Sequence, residues 1–315
     1  MDHMVVQSMD ISKLTLGTVQ LGLNYGIANT SGKPDHQQSY EILKAASDNG
    51  VNSFDTAPGY GDSELIIGSF ISSHPAFSKP PVIATKLPPI NLDGRATFQK
   101  TYALVREYVI GSIQRLQIER IPIYLLHRAS DINAYGGLVI ESLLRLKREG
   151  LIEVLGASVY TPEELEQALK VESIDAIQVP INIFDHRLIE TGLLNQLRDK
   201  NFIVFARSIF LQGLFFIDGR NLPPGLALAE KPLRQLQELS HEHGIGIAQL
   251  ALSFVRDLSG ITSLVIGAET PKQVLENVKL MGSPPLSAGL RNEIMSTFSD
   301  MPLELINPSA WNLNG

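Results

Sequence analysis

Val82-Ile83-Ala84-Thr85-Lys86, the amphipathic stretch 97–116 and Ile123-Tyr124-Leu125-Leu126-His127 read in succession as strand, helix and strand. Both short runs are continuously apolar almost to their last residue. That pattern suits strands buried on both faces, which belong to parallel sheets covered by helices. The same alternation extends outward along the chain, with further apolar runs at 14–16, 52–55, 153–157, 176–179, 203–206 and 264–266. Amphipathic stretches lie between and after them at 35–48, 63–71, 138–148, 162–170, 188–199, 246–258 and 271–281. Thr161-Pro162-Glu163-Glu164 supplies an N-cap, a Pro at the first helical position and acids in the first turn, and Thr270-Pro271 repeats that opening. Eight strands alternating with at least eight helices, with no linker-like segment, predict one (β/α)8 TIM barrel across 1–315. A doubly wound sheet would carry a Gly-rich turn after an early strand, and no G-x-G-x-x-G occurs.

Composition narrows the function classes. The formal charge is −7 and no long Lys/Arg run occurs, which argues against nucleic acid as a partner. With 0 Cys, disulfides, thiolate metal sites and a cysteine nucleophile are excluded, and no metal site is expected. MDHMVVQSMD at the start lacks the apolar core of a signal peptide, and no apolar run approaches a membrane span. The expected location is the cytoplasm. Two long irregular stretches, 20–34 and 208–232, are expected on the active-site face, where barrel enzymes keep their functional loops.

In such barrels the reacting side chains project from C-terminal strand ends. Here one predicted strand ends in Asp55, followed by Thr56-Ala57-Pro58-Gly59-Tyr60-Gly61, and the next two end in Lys86 and His127. Each residue alone has a plainer reading: Asp55 caps a turn, Lys86 reaches solvent, His127 fills the core, Tyr60 decorates a loop. Three consecutive strand ends carrying ionisable groups make coincidence the weaker explanation. An ammonium favours ionisation of a nearby phenol, and a carboxylate keeps that ammonium charged and oriented. Lys86 is therefore expected to lower the Tyr60 pKa, and His127 to hydrogen-bond a carbonyl oxygen.

At these residues the chain resembles the aldo-keto reductases. Phe54-Asp55-Thr56-Ala57-Pro58-Gly59-Tyr60-Gly61-Asp62-Ser63-Glu64 is similar to the family signature, in which an Asp is followed five residues later by the catalytic Tyr. Ala84-Thr85-Lys86 and Leu125-Leu126-His127-Arg128 match its lysine and histidine strands. The resemblance implies a nicotinamide cofactor and a small carbonyl or alcohol substrate, with Asp55, Tyr60, Lys86 and His127 as the catalytic set. It further implies that Gly17-Thr18-Val19-Gln20 approaches the nicotinamide, that Ser158 and Gln178 hold its carboxamide, and that Gln212-Gly213-Leu214 covers the pyrophosphate. Gly267, Glu269, Thr270, Gln273 and Asn277 are implied to hold the adenosine, at a helix N-terminus suited to phosphate.

Three departures bear on the cofactor side. Val159 stands where many members have Asn. Arg207, followed by Ser208, replaces the usual ring-stacking Tyr, and it either stacks on the nicotinamide or binds an anionic group. Glu269 and Thr270 occupy the place where NADP(H)-preferring members carry a basic residue, although Lys272 is near in sequence. The family habit thus points to NADP(H) and the local charge to NAD(H). Tyr25, Arg128 and Asn182, with Tyr60 and His127, are the expected substrate contacts, suiting a hydroxylated or sugar-like aldehyde. The alternatives are a nicotinamide-binding regulatory subunit without turnover, and a Schiff-base aldolase using Lys86.

Overall fold

The structure is a computed structural model and describes residues 1–74, 80–93 and 95–311. Before the first expected strand the chain makes a hairpin that sequence reading did not anticipate: β1 (His3–Val6) pairs antiparallel with β2 (Met9–Ser12). Its turn sets Gln7 and Ser8 at φ of 49° and 64°. Positive φ at both central residues matches the right-handed strand twist, which is why two-residue hairpins use it. Val6, Met9 and Ile11 are buried against the inward side chains Ala84, Ile123, Val154 and Phe205, so the hairpin plugs the N-terminal end of the barrel.

The expected eight parallel strands follow: β3 (Leu14–Gly17), β4 (Ser53–Asp55), β5 (Val82–Leu87), β6 (Ile121–Leu126), β7 (Ile152–Ser158), β8 (Ile174–Pro180), β9 (Ile203–Arg207) and β10 (Ser263–Gly267). They close in sequence order, β10 pairing with both β9 and β3. Strand pleating sends alternate residues to opposite faces. Phe54, Ile83, Leu87, Leu126, Ile177 and Val204 consequently join the large outer core beneath the helices. The intervening residues face the barrel axis. Toward the N-terminal end β3, β4 and β10 contribute small hydroxyls, with Thr15 Oγ1 at 2.7 Å from Ser53 Oγ and 2.6 Å from Ser263 Oγ, and the other strands contribute the apolar residues that meet the hairpin. At the C-terminal end the same alternation brings Asp55, Lys86, Ser158, Gln178 and Arg207 inward.

The helices follow expectation through the first seven strands and depart from it afterwards. The stretch 208–232 is irregular only in part: kinked 3-10 segments cover Leu211–Phe216 and Pro224–Ala229, and a helix over Glu230–His243 follows. This helix escaped the sequence reading because its composition is mostly polar. Its apolar residues Leu233, Leu236 and Leu239 recur at intervals of three and are buried. A further helix, Ala288–Thr297, lies beyond the last strand–helix unit. Among the described residues, no helix is long and apolar enough to cross a membrane.

Candidate active site

Asp55, the last residue of β4, lies across from Lys86 on β5, with Lys86 Nζ donating to Asp55 Oδ1 at 2.7 Å and to the Thr56 carbonyl at 3.0 Å. Gln178 Nε2 donates to the same Oδ1 at 2.7 Å, tying β8 to the pair across the barrel mouth. The ion pair is buried: Lys86 is 1% exposed and Asp55 5%. Tyr60 stands above it, with Lys86 Nζ 4.8 Å from the ring centroid. The His127 ring meets the Tyr60 ring edge-on at 6.0 Å. His127 lies just past β6, where its N–H donates to the Leu87 carbonyl. The four residues singled out at strand ends therefore converge at one place.

The loop bearing Tyr60 is fixed by backbone contact. A Cβ on Gly22 would meet the Tyr60 carbonyl oxygen at 1.6 Å, and Gly61 adopts φ +56° with the Gly22 carbonyl 2.5 Å from where its own Cβ would stand. Only glycine allows this crossing, and Gly61 also needs its freedom at positive φ. Thr18 locks the arrangement: its N–H and Oγ1 both donate to the Asp55 carbonyl, at 3.0 and 2.8 Å, and Oγ1 lies 2.6 Å from Ser63 Oγ. Glu64, which completes the signature stretch, accepts from Thr85 Oγ1 at 2.6 Å and from Arg115 Nε at 2.7 Å. It thereby steadies β5 one residue before Lys86.

Burial decides the charge states. It pushes the Tyr60 phenol above its ordinary value, outweighing the opposing pull of the Lys86 ammonium. The expectation that Lys86 leaves Tyr60 with a lowered pKa is corrected here: desolvation wins, and Tyr60 is a neutral proton donor through neutral pH. Burial also opposes the charge on Lys86, but Asp55 and Tyr60 together overcome it and hold its pKa above the usual value. A permanently protonated amine is no nucleophile, which disfavours Schiff-base chemistry at Lys86. His127 is held down to about 4 by burial and then by Lys86, so its imidazole is neutral at pH 7.

This has a measurable consequence for stability. The unfolded chain protonates His127 near pH 6.5, whereas the fold resists protonation until about pH 4. Stability is expected to fall as pH drops through that window, by on the order of 3 kcal/mol from this residue. Urea denaturation at pH 7 and pH 4.5 should show that dependence weakened in His127→Gln; an unchanged dependence would refute it.

From the four residues a cleft of about 550 Å³ runs along the barrel rim toward the helix Pro271–Met281. Gly17, Thr18, Val19, Tyr25, Ser158, Gln178, Arg207, Ser208, Gln212, Gly213, Gly267, Glu269, Gln273 and Asn277 all line it. Both long loops meet over it, the Ile27 N–H donating to the Gln212 carbonyl at 3.0 Å. Ser208, Leu211 and Gln212 take φ of 63°, 46° and 55°, a cluster of left-handed residues that marks a loop shaped for a purpose.

Four expected contacts lie elsewhere. Leu214 is fully buried in the outer core. Thr270 is the N-cap of the helix Pro271–Met281, its Oγ1 accepting from the Gln273 N–H. Arg128 is engaged by Asp131 at 2.6 Å and by the Ile90 carbonyl. Asn182 is buried and accepts from the Phe184 N–H at 2.9 Å.

Several lining residues, among them Asn29, Tyr160, Phe216 and Glu276, were not expected from the sequence. Tyr160 lies with its ring centroid 4.1 Å from Arg207 Cζ. It followed the unusual Val159 in sequence, with no local signal. Gln20 Oε1 is buried without a hydrogen-bond partner. The Gln20 amide fills the space in front of Gly267, where a Cβ would come within 2.3 Å of it. A buried orphan acceptor beside Gly267, with Ser158 and Gln178 lining the same cleft, is suited to a polar, amide-bearing ligand. The residues present fit a nicotinamide dinucleotide.

A closed barrel thus carries a buried carboxylate–ammonium pair beneath a phenol at its C-terminal mouth. The pattern of the Aldo/keto reductase family matches residues 13–295, and the chain belongs to that family. It is 31% identical to the NADH-specific methylglyoxal reductase of Escherichia coli (strain K12) over 298 residues, covering 85% of this chain and 89% of that protein. It is 25% identical to the L-glyceraldehyde 3-phosphate reductase of the same organism over 338 residues, covering 95% and 94%. The glycerol dehydrogenase structure from Gluconobacter oxydans superposes with a TM-score of 0.73 at 25% identity, covering 98% of both chains. A holo aldo-keto reductase from Bacillus halodurans gives 0.76 at 24% identity, covering 94% and 96%.

Proposed function

We propose that this chain reduces short, oxygen-rich aldehydes with NADH as the preferred cofactor, Tyr60 giving the proton. The observation that carries the reading is the neutral, buried Tyr60 phenol set over the Asp55–Lys86 pair and facing a neutral His127. A carbonyl placed between Tyr60 and His127 receives hydrogen bonds from both, which polarise it. A dinucleotide held by Ser158, Gln178 and the rest of the cleft lining would supply hydride to the carbonyl carbon. As that bond forms, the Tyr60 O–H bond breaks and its proton passes to the carbonyl oxygen, giving the alcohol. Lys86 then faces a phenolate and stabilises it by charge until solvent returns the proton. Asp55 keeps Lys86 charged and aimed, and Gln178 holds Asp55 from the other side.

NADH is favoured over NADPH by the charges at the far end of the cleft. Glu269 and Glu276 line it there, and Lys272 is directed to Glu276 at 3.8 Å with its side chain 85% exposed. A 2′-phosphate there would meet carboxylates, since the lining's one arginine, Arg207, stands at the opposite, inner end of the cleft. The relative named as NADH-specific supports the same choice. Tyr25, whose phenol burial pushes up to about 12, adds a permanent hydroxyl to the mouth, in keeping with a small polar aldehyde such as the relatives' names describe.

Titrating NADH and NADPH, then running an aldehyde panel, tests the reading. NADH should bind at least about tenfold more tightly, which is about 1.4 kcal/mol. Glu269→Lys should close that gap. Equal affinities in the parent enzyme, or an unmoved gap in the variant, would contradict the cofactor choice.

A further inference from the structure

We propose that Arg207 makes the site discriminate between the two redox forms of its cofactor, holding the neutral reduced ring tightly and the cationic oxidised ring weakly. This rests on the functional reading above. It concerns the charge at the nicotinamide end of the cleft and goes beyond cofactor class or substrate.

The Asp55 carboxylate is matched by Lys86 at 2.7 Å, so that pair contributes no net charge. His127 is neutral at pH 7. Arg207 is different. Its guanidinium donates to the Val159 carbonyl at 3.2 Å and to Ser208 Oγ at 3.4 Å, both uncharged acceptors. Tyr160 lies against it, an aromatic face that attracts a cation without neutralising it. Among the described residues, no carboxylate lies within ion-pairing distance of Arg207. Arg115 pairs with Glu64, Arg128 with Asp131 and Arg187 with Asp185, whereas Arg291, which like Arg207 has no carboxylate partner among the described residues, donates to the Phe254 carbonyl away from the cleft.

The location makes this charge consequential. Arg207 is the inward residue at the C-terminal end of β9, two residues beyond Phe205, which registers with Gln178 on β8. Ser158 and Gln178, the carboxamide partners, are therefore its neighbours on the inner wall. The inner end of the cleft carries a net charge of about +1, half-shielded from solvent, where Coulomb energies exceed their value in bulk water. A neutral dihydronicotinamide enters that field without electrostatic cost, whereas an oxidised ring brings a second positive charge. The oxidised product should leave readily after each reduction and inhibit weakly. By linkage, the same factor shifts the equilibrium on the enzyme away from the oxidised ring.

The test is a pair of binding titrations at low salt: NADH followed by its fluorescence, and NAD+ by competition against it. The parent enzyme should bind NADH at least about tenfold more tightly than NAD+, about 1.4 kcal/mol. Arg207→Gln, which keeps a planar polar group and removes the charge, should bring the two affinities within about threefold of each other, mainly by tightening NAD+. Arg207→Lys should retain most of the preference. A ratio near one in the parent, or the same ratio in Arg207→Gln, overturns this proposal while leaving nicotinamide binding intact. So does an Arg207→Gln variant whose only change is a raised KM for anionic aldehydes, since Arg207 is then a substrate anchor. A parent that binds neither nucleotide overturns the functional reading itself.

Discussion

Tyr60→Phe should lower kcat/KM for aldehyde reduction by at least about 10³-fold while leaving the dissociation constant for NADH within about threefold of the parent value. The substitution removes one oxygen and keeps the ring, so the edge-on packing against His127 survives. What disappears is the proton donor set directly above the Asp55–Lys86 pair. The neutral His127 imidazole can still hydrogen-bond the carbonyl, but its pKa of about 4 leaves no spare proton at pH 7. Steady-state rates and a fluorescence titration on the same preparation separate lost chemistry from lost binding. A variant retaining a tenth of the parent rate would contradict the role given to Tyr60.

Breaking the ion pair below Tyr60 should be felt in stability as well as rate. Lys86→Met leaves the Asp55 carboxylate buried with only the Gln178 amide to hold it, and removing one partner of a buried pair costs about 3–5 kcal/mol. Asp55→Asn combined with Lys86→Met removes both charges and should regain much of that loss, while its activity stays as low as that of Lys86→Met. Urea unfolding and steady-state rates give the two readouts. Recovery of activity in the double variant would show that the pair serves the fold and not the reaction. A single variant as stable as the parent would show that water reaches Asp55.

The barrel was legible in the sequence because strands buried on both faces leave continuous apolar runs, and because helix starts such as Thr161-Pro162 are local signals. The four strand-end residues were legible for a related reason. Pleating fixes which side chains face the axis, so an ionisable residue closing an apolar run is conspicuous. What escaped notice depends on tertiary context. The β1–β2 hairpin contributes only Val6, Met9 and Ile11 to the core, too few apolar residues to stand out before the barrel exists to receive them. The helix Glu230–His243 hides its buried leucines among polar residues. Arg128 and Asn182 are polar residues next to strand ends, as catalytic residues are, but Asp131 and the Phe184 N–H engage them locally. Tyr160 becomes visible only once Arg207 lies against it. The net rise in the Tyr60 pKa needed the degree of burial, which sequence order does not carry.

The most direct test of carbonyl reduction at this site follows the hydride itself. NADH deuterated at the transferable position is mixed with a short aldehyde and the enzyme, and the product is examined by mass spectrometry. The expected result is one deuterium on the carbinol carbon per nicotinamide oxidised, with the hydroxyl proton exchangeable with solvent, and none of this chemistry in Tyr60→Phe. Aldehyde consumed without nicotinamide oxidation, together with a borohydride-trapped adduct on Lys86, would contradict it. Tight NADH binding with no deuterium transfer to any aldehyde would do so equally, and would leave a nucleotide-binding protein without turnover.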